Sequence, residues 1–127
     1  MTKTASPSPT VLPTGAELFF TAAAPKSAPY VLPGLGAVDL VELREAEVSE
    51  IRRRIESEKN LARRSKLFGM GLIVRSVRKD SLCVFSDADI DRFADAGNST
   101  VEKLAAAVLT INGYGADAGN GADARGN

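Results

Sequence analysis

Asp87, Asp89 and Asp91 stand at alternate positions, the D-x-D-x-D opening of a loop in which carboxylates converge on Ca²⁺. The rest of such a loop is missing. Arg92 holds the sixth place, where the turn needs glycine, and Asn98 the twelfth, where an acid closes the shell. The three acids read better as first-turn carboxylates of a helix, where the exposed backbone N–H groups favour negative charge. There is no histidine, which removes the commonest general base and metal ligand. Cys83 is the lone cysteine, so no thiolate cluster forms; its place between Leu82 and Val84 predicts a small buried hydrophobe. Gly34-Leu35-Gly36 and Gly69-Met70-Gly71 lack the further spacing of nucleotide-binding loops and read as turn or packing glycines. With no nucleophile–base pair in view, the chain is expected not to be an enzyme, with no catalytic residues, metal site or cofactor.

The remaining charged feature is a basic run. Residues 52–79 carry ten Arg and Lys against Glu56 and Glu58, while residues 80–127 carry three basic side chains against eight acidic ones. The whole chain of 127 residues is neutral, so the asymmetry is a dipole. A basic helix can follow a phosphate backbone. This run is interrupted by glutamates and has no aromatics to stack on bases, so a solvated face or a contact with an acidic protein surface is the favoured reading. No stretch reaches the ~18 apolar residues of a membrane span, and no basic region leads into an apolar run at the N-terminus, so no secretory signal is expected.

These side chains need elements to hold them. Residues 1–37 read as a flexible Pro/Ala-rich arm, with a short strand at 17–21 and a turn at Pro33-Gly34. Residues 38–43 are β-prone. From Glu45 the pattern turns helical, with Val48, Ile51 and Ile55 on one face. A second helix is expected over 60–77, apolar nearly all round from Leu67 to Val74 and so the central buried helix; Gly69 and Gly71 would let another helix come close. The competing reading of 67–85 is a hairpin, with strands 72–77 and 82–85 around Arg78-Lys79-Asp80-Ser81. The unbroken apolar run back through Leu67 and Phe68 favours the helix. Ser86 and Asp89 have capping-box spacing before a short helix ending near Ala96, and Ser99 and Glu102 before a last helix. Val101, Leu104, Ala105, Val108 and Leu109 line that last helix, and Asn112-Gly113 closes it. The expected fold is mainly α: about four helices over 38–114, a short N-terminal β-prone segment, and a disordered Gly/Ala/Asp tail at 115–127.

The order of features is itself informative. A β-prone stretch runs into Arg44-Glu45-Ala46-Glu47, then a charged helix, an apolar helix, Lys79-Asp80, Leu82, Phe85-Ser86-Asp87-Ala88-Asp89, an Ala-rich helix and Ile111-Asn112-Gly113. Over about 38–114 this resembles the tail assembly chaperones of long-tailed bacteriophages, which carry a Phe-Ser/Thr-Asp-x-Asp step and end their last helix on a Leu-Asn-Gly type signature. Here Ile111 takes the leucine place, Arg44 stands where the family opens its first helix with threonine, and Asp80-Ser81 replace a turn glycine. The resemblance implies a protein that binds the tape measure protein and keeps it soluble while the tail tube polymerises. It implies work in the host cytoplasm and absence from the mature virion. Many such proteins also occur in a longer, frameshifted form that engages the tail tube protein. Unequal charge in the two halves would suit self-association into a ring or spiral. The expected partner surface is Leu67, Phe68, Met70 and Ile73, with Arg63 and Arg64 beside it; the alternative is that all four apolar residues are core. Rival functions are a small nucleic-acid-binding regulator using 52–79, or a structural tail or connector subunit.

Overall fold

The computed structural model describes residues 9–115. Its elements, in order, are α1 (Gly15–Ala22), β1 (Ser27–Leu32), β2 (Gly36–Val41), α2 (Glu45–Ile55), α3 (Leu61–Ser76), β3 (Val77–Lys79), β4 (Leu82–Cys83), a 3₁₀ segment (Asp87–Asp95) and α4 (Asn98–Ile111). The strands form one antiparallel sheet in the order β1-β2-β3-β4. The expectation of a mainly helical domain is therefore wrong: the fold combines helices with a sheet. No helix among the described residues is long and apolar enough to cross a membrane. The tail expected at 115–127 lies outside them beyond Gly115.

The sheet was hidden by its composition. The arm expected over 1–37 holds, in its described part, α1, β1 and the turn into β2. Residues 17–21 belong to a helix, because Glu17-Leu18-Phe19-Phe20 does not alternate and alanines flank it. The Ala/Pro stretch after it becomes β1, with Pro29 on an edge strand, the place where a missing N–H is tolerated. Leu35 N–H bonds Leu32 O at 3.0 Å across Pro33-Gly34, and Gly34 sits at φ 85°, a backbone state that favours glycine. One face of this hairpin is inward, with Leu32, Val38 and Leu40 buried, and the other is open, with Val31 and Asp39 exposed.

Both readings of 67–85 contain part of the answer. The helix ends at Ser76 and passes into β3 with no intervening loop, Val77 being already extended. Asp80 and Ser81, both at positive φ, then turn the chain in two residues. Asn60 caps α3, its Oδ1 accepting from Arg63 N–H at 2.9 Å. The last turns of α3 and the start of β3 are the centre of the molecule: Leu72, Ile73 and Val77 are at most 1% exposed and pack with Val38, Leu40, Ile51, Leu104 and Val108. α3 and α4 cover the inner face of the sheet, and α2 lies against α3. Gly71 marks that crossing, since a Cβ there would sit 2.8 Å from Ile51 Cγ2, whereas one at Gly69 would meet nothing.

Cys83 is exposed, not buried. It lies on a two-residue edge strand with Leu82 also open to solvent; the buried side of this segment begins at Val84 and Phe85. α4 starts after Gly97, so Ser99 lies inside it and makes no cap, contrary to the spacing argument. The chain leaves the 3₁₀ segment at Ala96 and re-enters a helix at once. The end of α4 follows expectation: Tyr114 N–H bonds Leu109 O, Gly113 N–H bonds Thr110 O, and Gly113 has φ 85°, the paired bonds of a Schellman close.

Candidate partner-binding groove

A groove of about 430 Å³ opens between the first half of α3, the 3₁₀ segment and the start of α4. Its floor is apolar and half-buried: Leu67, Met70, Ile90, Phe93 and Val101. Arg63 and Lys66 stand on the α3 wall, and Asp91 and Glu102 on the opposite wall. An apolar floor between walls of opposite charge fits one amphipathic helix and fixes its orientation.

The groove exists because two joints hold its outer wall on α3. The first follows β4. Phe85 meets Phe93 edge to face, 5.2 Å between centroids, closing the 3₁₀ segment on itself. Asp89 accepts from Ser86 N–H at 2.9 Å and from Arg92 Nη1 at 3.0 Å; the Ser86 bond and then Arg92 hold its carboxyl below the usual range. Asp87 takes Arg54 Nη1 at 2.8 Å and both Arg75 Nη nitrogens at 3.0 and 3.2 Å, tying the segment to α2 and α3. Of the carboxylates that suggested a cation loop, Asp87 and Asp89 are therefore occupied by guanidinium and backbone donors, and Asp91 is exposed.

The second joint is Asn112, at the end of α4. Its Oδ1 accepts from Leu43 N–H at 2.8 Å, and its Nδ2 donates to Ser76 Oγ at 3.0 Å and Val108 O at 2.9 Å. Leu43 N–H is only a donor, so the amide orientation is fixed by chemistry. Ser76 is fully buried, and this bond satisfies it.

The six residues expected at the partner surface divide three ways. Arg63, Leu67 and Met70 line the groove. Arg64 and Phe68 lie on the other side of α3, against α2. Arg64 donates to Glu58 O and caps the end of α2, while Phe68 carries Arg52 at 5.1 Å over its ring and packs edge to face on Tyr114. Ile73, 1% exposed, is core and not surface. An α-helix turning 100° per residue cannot put 67, 68, 70 and 73 on one exposed face. The groove residues missing from the expected partner surface are Ile90, Phe93 and Val101 on the floor and Lys66, Asp91 and Glu102 on the walls. Ile90 and Phe93 were recognised as inward-facing and Val101 as part of an apolar stripe, but nothing in their spacing says that they converge on Leu67 and Met70.

The basic run is largely engaged within the chain. Arg53 and Arg54 bind Glu50, Arg63 binds Glu58, Arg75 binds Asp87 and Arg78 binds Glu47. Arg54, followed by Arg53, holds the Glu50 carboxyl low. Comparison of the chain with protein-family models, with curated proteins and with solved structures gives no match.

Proposed function

We propose that this protein is a tail assembly chaperone of a long-tailed bacteriophage, and that it holds a helical segment of the tape measure protein in the groove between α3, the 3₁₀ segment and α4. The observation that carries the reading is the placement of the resemblance residues. Asp87 ties the 3₁₀ segment to Arg75 of α3 and Asn112 ties the end of α4 to Ser76 of α3, while Phe85, Asp89 and Gly113 close those two segments locally. A tape measure protein is a long, aggregation-prone helical chain, and an apolar floor with oppositely charged walls matches such a segment. On this reading the protein acts in the host cytoplasm, is absent from finished particles, and reaches the tail tube protein through a longer frameshifted form. Pairing of Arg54 and Arg75 with Asp87 engages only one of the eight acidic side chains of residues 80–127, so most of the charge that a head-to-tail ring or spiral would use is left. The ion pairs of Arg53, Arg54, Arg63, Arg75 and Arg78 with the chain's own carboxylates weaken the rival nucleic-acid reading, because each would have to exchange its partner for a phosphate.

The test is co-expression with the long coiled-coil protein that this reading expects to be encoded just downstream, scoring that partner's solubility. The expected result is a partner insoluble alone and soluble in complex, with rescue lost in Met70→Asp and kept in Leu61→Asp, which lies on the far side of α3. A partner that is neither bound nor rescued by the parent protein sinks the proposal. Equal rescue by both variants places the contact elsewhere.

A further inference from the structure

No described element packs closely on α1. None of its residues is buried, and the arm displays Val11, Leu12, Leu18, Phe19 and Phe20 at 62–79% exposure. An apolar cluster of this size, on α1 and the residues just before it, is a contact surface rather than a scatter of exposed side chains. The body carries a matching vacancy. Helices cover the sheet from β2 onward, but at the β1 end Ala28 and Tyr30 are only half-buried, and a slot of about 660 Å³ opens between them and Ala106, Ala107 and Ile111 of α4. The inner run of β1 is about 13 Å long, and an eight-residue helix about 12 Å.

The chain's own α1 is held away from this slot. Ala23 N–H bonds Phe19 O at 2.8 Å and Ala24 N–H bonds Thr21 O at 3.4 Å, so both residues belong to the helix end. Pro25 keeps Ala24 out of the helical region. Lys26 is tied to Glu42 by two bonds, its O accepting from Glu42 N–H at 2.8 Å and its N–H donating to Oε1 at 3.1 Å. No loose residue remains to turn the helix back on its own sheet. We propose that α1 of one copy fills the β1–α4 slot of a second copy, and that the exchange is reciprocal.

Area decides for reciprocity. With ~150–250 Å² per aromatic side chain, the five exposed residues offer on the order of 500 Å² of apolar surface. One arm in one slot falls short of the ~800 Å² per partner of a stable interface, while two arms in two slots reach it. Glu17 is the one charged side chain of α1, and it has no basic face, which sets it apart from helices that lie on anionic lipid. This contact goes beyond the proposed chaperone role and uses a different surface.

Sedimentation velocity on the full chain, from about 1 to about 200 μM, tests it. The expected species at the top of the range is twice the 13.4 kDa chain mass. Phe19→Asp/Phe20→Asp and, separately, Ala106→Glu should each weaken self-association about 100-fold or more. All three positions are exposed or unpacked, and unchanged circular dichroism confirms the fold. An equimolar mixture of the two variants should remain monomeric where the parent is dimeric, because one intact arm in one intact slot buries too little area to hold two chains together. A parent protein that stays monomeric throughout, an Ala106→Glu variant that associates like the parent, or a mixture that dimerises as tightly as the parent would each overturn the proposal.

Discussion

Replacing Asn112 with alanine removes one side chain and undoes a junction of three elements. Leu43 N–H, between β2 and α2, loses its acceptor, and the fully buried Ser76 Oγ of α3 loses its donor. Val108 O loses little, since it still accepts from Asn112 N–H at 3.2 Å. Leaving a buried polar group unsatisfied costs about 1–3 kcal/mol. The Leu43 amide takes most of that penalty and the Ser76 hydroxyl, which can rotate, a smaller part. The expected loss is about 2–4 kcal/mol, out of the roughly 5–15 kcal/mol that holds a domain of this size together. The melting temperature should drop by roughly 10–20 °C. The chain has no tryptophan, so urea unfolding is followed by circular dichroism at the helical band. Ser76→Ala should cost about 1 kcal/mol or less, because one Nδ2 hydrogen keeps Val108 O. The double variant should cost less than the two singles added, since the bond they share is lost only once. Amide exchange gives the residue-level reading: Leu43 N–H should be protected in the parent and fast in Asn112→Ala. A variant that unfolds within about 0.5 kcal/mol of the parent, with Leu43 still protected, would refute the argument that this amide joins α4 to the body.

The two glycines of α3 should respond with opposite signs. Gly71→Ala drives a Cβ into the buried Ile51 side chain and should destabilise by about 1–3 kcal/mol, while Gly69→Ala meets open space and should stabilise by up to about 1 kcal/mol; paired urea midpoints decide it. Ser81→Gly relieves a left-handed backbone at φ 69° in the two-residue turn and should raise stability by about 0.5–1 kcal/mol, read as a higher melting temperature. Glu50 and Asp89 have folded-state values below their unfolded ones, so their contribution is complete above about pH 4.5 and is lost as pH falls through the folded values. Thermal midpoints should therefore hold from neutral pH to about 4.5 and fall below it, with a shallower fall in Asp89→Asn. Cys83 should react with a thiol reagent at full stoichiometry in the native protein, which a buried thiol would not do.

What could be read from the sequence was local. Val48 and Ile51 share a buried face because helix periodicity is written in consecutive residues, and Asn112-Gly113 ends α4 because a left-handed close needs glycine. What could not be read depended on partners distant in sequence. β1 begins inside an Ala/Pro stretch and gains its strand state from pairing with β2, and β3 is only three residues long, with Leu40 opposite Val77 across a gap of two helices. Cys83 looked buried because its neighbours are apolar, yet its side of β4 has nothing above it. The groove suffered likewise. Leu67 and Met70 could be picked from α3 alone, but Ile90, Phe93 and Val101 face them only once Asp87 has clamped the 3₁₀ segment between Arg54 and Arg75.

That clamp explains why motif and surface fall on different residues. Phe85, Asp87, Asp89 and Asn112 spend their side chains on one another's elements, and none of Asp87, Asn112 and Gly113 lines the groove. Their geometry is demanding, because Asp87 must meet two guanidinium groups at once and Asn112 must donate and accept in fixed directions. The groove floor asks only for apolar side chains of suitable volume, which many sequences supply. A resemblance carried by joints can therefore persist while the floor and its charged walls are free to change with the helix they hold. Partner preference in this fold should accordingly follow Arg63, Lys66, Asp91 and Glu102, which set the sign of charge along each wall, and not the residues by which the chain resembles a chaperone. Exchanging the wall charges, Arg63→Glu with Glu102→Arg, should redirect the groove toward a helix of reversed charge pattern while costing about 1 kcal/mol or less in urea stability, since both positions are solvent-exposed and the one ion pair lost is Arg63 with Glu58.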